Sequence, residues 1–106
     1  MVKIMVTTKQ AHECKSLEEV RLEIDRIDKA VITLLGERLI YVKEVVNYRD
    51  PKKKEVADKN RYLKVIKERG KWGENNGLNP NVIEQVYTTL LNYYIEQQTL
   101  IANQKK

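Results

Sequence analysis

The sequence predicts an all-α protein of three helices, the first of them unusually long. Apolar residues recur at the spacing of a helical seam from Leu17 to about Arg49, and again from Pro80 almost to the C-terminus. The sequence contains no run of alternating β-branched residues that would indicate a strand. A chain of 106 residues suits one compact domain and is too short for separate cofactor and substrate domains.

The first helix is predicted over residues 17–49. Ser16 followed by Glu19 is a capping-box pattern, and the Asp50-Pro51 pair disfavours helical backbone at its first residue. A helix of that length extends roughly 50 Å, whereas the radius of gyration of a compact domain this size is about 13 Å. A second copy of the same helix is the most economical cover for its apolar stripe, so we expect a homodimer. Residues 1–15 are expected to form a flexible segment before residues 16–106.

The second helix is expected to follow a basic connector over residues 50–60 and to begin between Val56 and Asp58. Gly70 is predicted to end it. Its expected buried side chains are Tyr62, Leu63 and Ile66.

The third helix is predicted to begin at Asn79-Pro80, an N-cap followed by a first helical residue, and to run nearly to the end. The preceding stretch, "WGENNGLNPN", is typical of turns.

Composition narrows the classes of function. The net charge of +5 and pI near 9.3 favour an anionic partner, either a nucleic acid or a small acid. Cys14 is the single cysteine and His12 the single histidine, so we expect no disulfide, no structural metal and a reducing, cytoplasmic location. We expect neither a signal peptide in residues 1–15 nor a membrane span.

An arginine interrupts the seam of the first helix. After Leu34 the next seam position is Arg38, and Arg49 follows eleven residues later, about 20° from three whole turns of an α-helix. Two arginines that point the same way could hold one small anion. Arg21 is roughly 25 Å from Arg38 along the same helix, so it could reach this ligand only from the partner of an antiparallel pair.

Other polar residues extend this set. Gln98 lies at the edge of the apolar stripe of the third helix, and Asp58 and Arg61 share one face at the start of the second. Without a nucleophile paired with a base, such a pocket could bind a dicarboxylate and stabilise charge. Each of these residues also has a purely structural interpretation. Arg38 would be a charged residue in a helix seam, Gln98 a buried amide hydrogen-bonded to backbone, and Asp58 with Arg61 an ion pair at a helix end. A basic helical nucleic-acid-binding dimer and a pure dimerisation module are the alternatives from other classes.

Four segments, "VRLEIDRIDKAVITLLGERLIYVKEVVNYR", "DKNRYL", "WGENNGL" and "YYIEQQ", together resemble the all-helical chorismate mutase family, and in particular its relatives the isochorismate pyruvate lyases of salicylate biosynthesis. The resemblance covers about residues 17–101. It implies an intertwined homodimer of three-helix subunits with two shared sites, a small dicarboxylate substrate and no cofactor.

The resemblance also implies roles for single residues. Arg21 matches an arginine donated by the partner subunit, Arg38 a central carboxylate clamp, and Gln98 a glutamine at the ether oxygen of the substrate. Arg49 stands where the family usually has a lysine. The predicted catalytic residues are Arg38, Arg49 and Gln98, and the predicted substrate-binding residues are Arg21, Asp58, Arg61, Tyr62 and Tyr94.

Two positions bear on which reaction is catalysed. Asp58 matches an aspartate found in the mutases. Tyr62 stands where mutases commonly have a glutamate that helps bind the substrate hydroxyl and where lyases have an apolar residue. The sequences of the helices are overall more similar to those of the lyases. Asp58 nevertheless leads us to predict a chorismate mutase of aromatic amino acid biosynthesis, with isochorismate pyruvate lyase as the alternative.

Overall fold

The computed structural model describes residues 9–49 and 58–104, and both ranges are built from helices and turns. Helix α1 spans Leu17–Glu44, α2 spans Lys59–Asn75 and α3 spans Pro80–Gln104, and short 3-10 turns occupy Ala11–Glu13 and Val45–Tyr48. The prediction of an all-α, three-helix chain is confirmed. The chain divides into two compact units, residues 1–41 and 42–106. Within the described ranges no helix is both long enough and apolar enough to cross a bilayer.

Helix α1 begins where the capping pattern predicted. The backbone N–H of Glu19 donates to Ser16 Oγ at 3.1 Å, which satisfies one of the free amides of the first turn. The carboxylate of Glu19 accepts from the backbone amide of Lys15 and from Lys9 Nζ, the latter at 3.1 Å. Of the segment predicted to be flexible, residues 1–8 lie outside the described residues, and the remainder includes the Ala11–Glu13 turn.

The prediction that α1 continues as one α-helix to residue 49 is wrong. The α-helix ends at Glu44, the backbone tightens into the 3-10 turn, and Arg49 caps this turn in an extended conformation with φ −92° and ψ 148°. The 20° register between Arg38 and Arg49 assumed α-helical geometry throughout. A 3-10 turn advances about 120° per residue instead of 100° and rises about 2.0 Å instead of 1.5 Å, so that register does not hold.

No residue of α1 is buried. Most apolar side chains of its predicted seam are exposed, among them Leu17, Ile24, Ile27 and Val31, which are between 47% and 62% exposed. A contiguous apolar stripe of this kind is typical of a surface that another chain covers.

Helix α2 passes through Gly70 instead of ending there. Gly70 and Gly73 are both buried on the side that faces α3. A Cβ atom at Gly73 would lie 2.5 Å from Ile83 Cγ1, and one at Gly70 would lie 2.9 Å from the side chain of Glu84. These glycines allow the two helices to approach closely, and this use outweighs the preference of glycine for helix ends.

The glycine that does end α2 is Gly77. It has a φ of +79°, the left-handed conformation that glycine adopts without a Cβ penalty. The amide of Leu78 donates to the carbonyl of Gly73 at 2.9 Å, and that of Gly77 donates to the carbonyl of Glu74 at 3.1 Å. These two bonds form a Schellman motif. Part of the stretch predicted to be turn is therefore the last turn of α2.

Helix α3 begins at Pro80, as predicted, with Asn79 as its cap: Asn79 Oδ1 accepts from the amide of Asn81 at 2.8 Å. It packs against α2 around a small core of Val65, Ile66 and Tyr94. The prediction that Leu63 is buried is wrong, because it lies on the outer side of α2 and is 61% exposed.

An arginine is stacked on aromatic rings at the C-terminal end of α2. The guanidinium carbon of Arg69 lies 4.2 Å from the ring centre of Trp72 and 5.9 Å from that of Tyr87 on α3. Cation–π contacts of this kind hold the guanidinium over the rings and tie the end of α2 to α3.

Candidate active site

Gln98 is the buried polar side chain of the second unit, with 6% exposure. Its Nε2 donates to the backbone carbonyl of Val42 at 2.8 Å, across 56 residues of sequence. A primary amide has two N–H groups on this nitrogen, so one remains after the bond to Val42. The structure therefore fixes the amide in one orientation and leaves it one donor.

The partner of Gln98 is available because of how α1 ends. Val42 lies in the last turn of α1, where the final four carbonyls lack the amide of a continuing α-helix. The chain enters the Val45–Tyr48 turn immediately afterwards, and this turn lies against α3. The same departure from α-helical geometry that moves Arg49 off its predicted register thus leaves a carbonyl for Gln98.

The start of α2 lies beside the stretch of α3 that carries Tyr94 and Gln98. The two helices run antiparallel: Gly73 lies against Ile83, and Tyr62 is hydrogen-bonded to Asn92. Continued by one helical turn, this register places residues 58–61 alongside residues 94–98. The second unit therefore brings Asp58 and Arg61 to the same end of the hairpin as Tyr94 and Gln98.

Asp58 is the N-cap of α2. Its Oδ1 accepts from the backbone amides of Asn60 and Arg61 at 3.0 and 3.2 Å. This is the standard use of an aspartate before a helix, and it typically stabilises the fold by about 1 kcal/mol. This oxygen has a structural role, and the predicted role of Asp58 in substrate binding stays a prediction.

Tyr62 is partly buried, and its hydroxyl donates to Asn92 Oδ1 at 3.0 Å. Asn92 lies about 160° around α3 from Tyr94 and about 120° from Gln98. The hydroxyl is therefore directed toward a different face of α3 from the one that carries the other predicted site residues. The predicted role of Tyr62 in substrate binding stays a prediction.

The four predicted arginines fall in both units. Arg21 and Arg38 lie on α1 in the first unit, the former exposed and the latter partly buried, with its Nη1 atom buried. Arg49 and Arg61 lie in the second unit, where Arg49 is partly buried and Arg61 is exposed in the first turn of α2.

Sequence reasoning missed the hydrogen-bond partners of two predicted site residues, Gln98 and Tyr62. The carbonyl of Val42 carries no side-chain signal, and only the change of helix type at Glu44 marks it. Asn92 lies on a solvated face of α3 with no motif around it, so its contact with Tyr62 required the helix pairing. Within residues 9–49 and 58–104, no three His, Cys, Asp or Glu side chains form a group that could hold a metal ion.

Comparison with known proteins identifies the family. The family profile described as chorismate mutase type II matches residues 20–99, which covers α2 and most of α1 and α3. This chain belongs to the chorismate mutase type II family. It is also similar to the isochorismate pyruvate lyase of Pseudomonas aeruginosa, with 30% identity over 90 residues that cover 85% of this chain and 88% of the relative. The prediction that the chain is an enzyme, an isomerase or a related pericyclic lyase, is confirmed by these relationships.

The buried amide of Gln98 is of a kind that suits charge stabilisation. A preorganised N–H group in a buried position stabilises an oxygen on which negative charge develops, and it requires no proton transfer. Arginines match carboxylates in shape and charge and hold them through paired hydrogen bonds.

Proposed function

We propose that this chain catalyses the pericyclic cleavage of isochorismate to salicylate and pyruvate. The position of Asp58 supports this choice of reaction. That residue is the reason the sequence favours a mutase, and its capping of α2 accounts for its presence without reference to the reaction. The similarity to a protein named isochorismate pyruvate lyase then favours the lyase.

The second candidate is the rearrangement of chorismate to prephenate, and the family profile favours it. In both reactions the C–O bond between the ring and the enolpyruvyl group breaks, and negative charge grows on the ether oxygen. In the rearrangement, the enolpyruvyl carbon bonds to the ring. In the cleavage, that carbon takes a hydrogen from the ring, pyruvate leaves and the ring becomes aromatic. Neither reaction needs a nucleophile or a cofactor.

The proposed reaction gives Gln98 and three arginines separate roles. Gln98 uses its second N–H to donate to the ether oxygen, and its amide is held ready by Val42. The family resemblance assigns Arg38 and Arg61 to the carboxylates and Arg49 to a position near the ether oxygen, and we carry these roles over residue by residue. Each preorganised donor of this type lowers the activation barrier by about 2.7–4 kcal/mol.

The exposed seam of α1 supports a homodimer in which each site is shared. In an antiparallel pair, the start of one α1 comes alongside the middle of the other, and Arg21 would reach the partner's site. Covering the seam would also remove several large apolar side chains from water.

A product assay tests the proposal. The purified chain is incubated separately with isochorismate and with chorismate, and products are identified by chromatography. We expect salicylate and pyruvate in equal amounts from isochorismate, at a higher kcat/KM than prephenate from chorismate. Faster formation of prephenate would reverse the order of the two candidates, and no product from either substrate would refute the proposed function.

A further inference from the structure

The turn between α2 and α3 contains the dipeptide Asn76-Gly77, and both of its residues are exposed. An asparagine before glycine loses its side-chain amide readily, because glycine has no Cβ to hinder attack on the preceding side chain. The backbone nitrogen of Gly77 bonds to Cγ of Asn76, the bond from Cγ to the side-chain nitrogen breaks, and that nitrogen leaves as ammonia with the proton of the Gly77 amide. Water then opens the succinimide ring and leaves aspartate or isoaspartate.

Hydrogen bonds hold both reacting groups in the folded chain. Asn76 Nδ2 donates to the backbone carbonyl of Trp72 at 2.8 Å. The N–H of Gly77 donates to the carbonyl of Glu74 at 3.1 Å, as part of the Schellman motif that ends α2. Ring closure removes the proton from the Gly77 nitrogen and builds the ring from the Asn76 side chain, so neither hydrogen bond survives it.

We propose that Asn76 is a site of spontaneous deamidation that the Schellman motif protects, so that the reaction proceeds through local opening of the α2–α3 turn. Native chains open locally at a lower free energy than that of global unfolding, and exposed turns open most readily. The proposal concerns the chemistry of the chain itself and is independent of the proposed function.

The product cannot rebuild the end of α2 as it was. The Asn76 amide donates to the Trp72 carbonyl, whereas a carboxylate at this position offers only acceptors to that oxygen. Asn76 is the C-cap of α2, where the helix dipole disfavours a new negative charge. Isoaspartate also adds a methylene to the backbone within the motif. Deamidation therefore weakens the connection between α2 and α3 permanently.

The first experiment compares the rate of deamidation in the folded and the unfolded chain. The purified protein is incubated at one mildly alkaline pH and one temperature, with and without enough urea to unfold it. A protease that cleaves after glutamate releases residues 75–84, and mass spectrometry locates the amide converted to acid within this peptide. We expect the reaction at Asn76 to be roughly 5- to 150-fold slower in the folded chain, the factor that two neutral hydrogen bonds supply. Equal rates in both conditions, or no reaction at Asn76 in urea, would overturn the proposal.

The second experiment measures the effect of the product on stability. Asn76→Asp introduces the carboxylate that deamidation creates, and Asn75→Asp is its control, because it adds the same charge at the neighbouring exposed position of the last turn of α2. We expect the melting temperature of Asn76→Asp to lie roughly 4–8 °C below that of Asn75→Asp, the shift that the loss of one hydrogen bond gives in a chain of this size. Equal melting temperatures would show that the bond to the Trp72 carbonyl does not hold the turn closed, and would overturn the protection proposed for it.

Discussion

Replacement of Gly73 by alanine tests the close contact of α2 with α3, and Gly36 provides its control. Both glycines lie inside helices, so each substitution gains about 1 kcal/mol of helix propensity. At Gly73 the new Cβ would lie 2.5 Å from Ile83 Cγ1 and 3.1 Å from Ile83 Cβ. At Gly36 a Cβ meets nothing within 4 Å. Propensity therefore cancels in the comparison, and the difference between the variants measures the overlap with Ile83.

Overpacking of this kind costs about 1–3 kcal/mol, so Gly73→Ala should be less stable than Gly36→Ala by that amount. For a chain of this size, each kcal/mol corresponds to about 4–8 °C in melting temperature. Thermal unfolding is followed by circular dichroism at one fixed protein concentration, because a dimer melts in a concentration-dependent way. Equal rises in melting temperature for both variants would show that α2 and α3 are not in close contact at Gly73.

Four further predictions concern the site and the start of α1. Gln98→Leu should lower kcat on the preferred substrate by about 10²–10³, the usual loss of one preorganised donor; a change confined to KM would contradict this role. Arg38→Ala and Arg21→Ala should each be nearly inactive, and mixing them after dissociation should restore about a quarter of wild-type activity if the sites are shared. Arg49→Lys should keep part of the activity, whereas Arg49→Met should lose it in kcat. Hydrogen bonds from the Lys15 amide and from Lys9 hold the pKa of the Glu19 carboxyl below its ordinary value. The stability that the ionised carboxyl adds should therefore be present at pH values above its ordinary pKa and be lost as the pH falls through its pKa in the folded protein. An NMR titration in which Glu19 shows its ordinary pKa would contradict this.

Features set by neighbouring residues were predictable from the sequence. The Ser16–Glu19 pattern located the start of α1, and Asn79-Pro80 located the start of α3, because a cap bonds only to amides within its own first turn. The family resemblance indicated Gln98 as a site residue, which stays a prediction, and it gave no sign of the bond from Gln98 to the Val42 carbonyl.

Features that depend on distant residues were not predictable. Gly70 was predicted to end α2 because glycine is common at helix ends, a preference that is visible in the local sequence. Its close contact with α3 depends on residues far away in the sequence, so the sequence does not reveal it. The register of Arg38 with Arg49 assumed one kind of helix, and the change to a 3-10 turn at Val45 has no clear sequence signal. Spacing left Asp58 open to a structural or a substrate-binding role; the structure shows that one of its carboxylate oxygens caps its own helix, and its role toward a substrate stays a prediction.

The stacking of Arg69 on Trp72 has a practical consequence for measurements. Trp72 is the single tryptophan of the chain, it is 54% exposed, and it lies in the second compact unit. Its fluorescence responds to the loss of the guanidinium above its ring and of the α2–α3 contact, whereas helical circular dichroism averages over α1 as well. An unfolding curve recorded by fluorescence is therefore a curve of the second unit, and its agreement with circular dichroism measures whether the two units unfold as one.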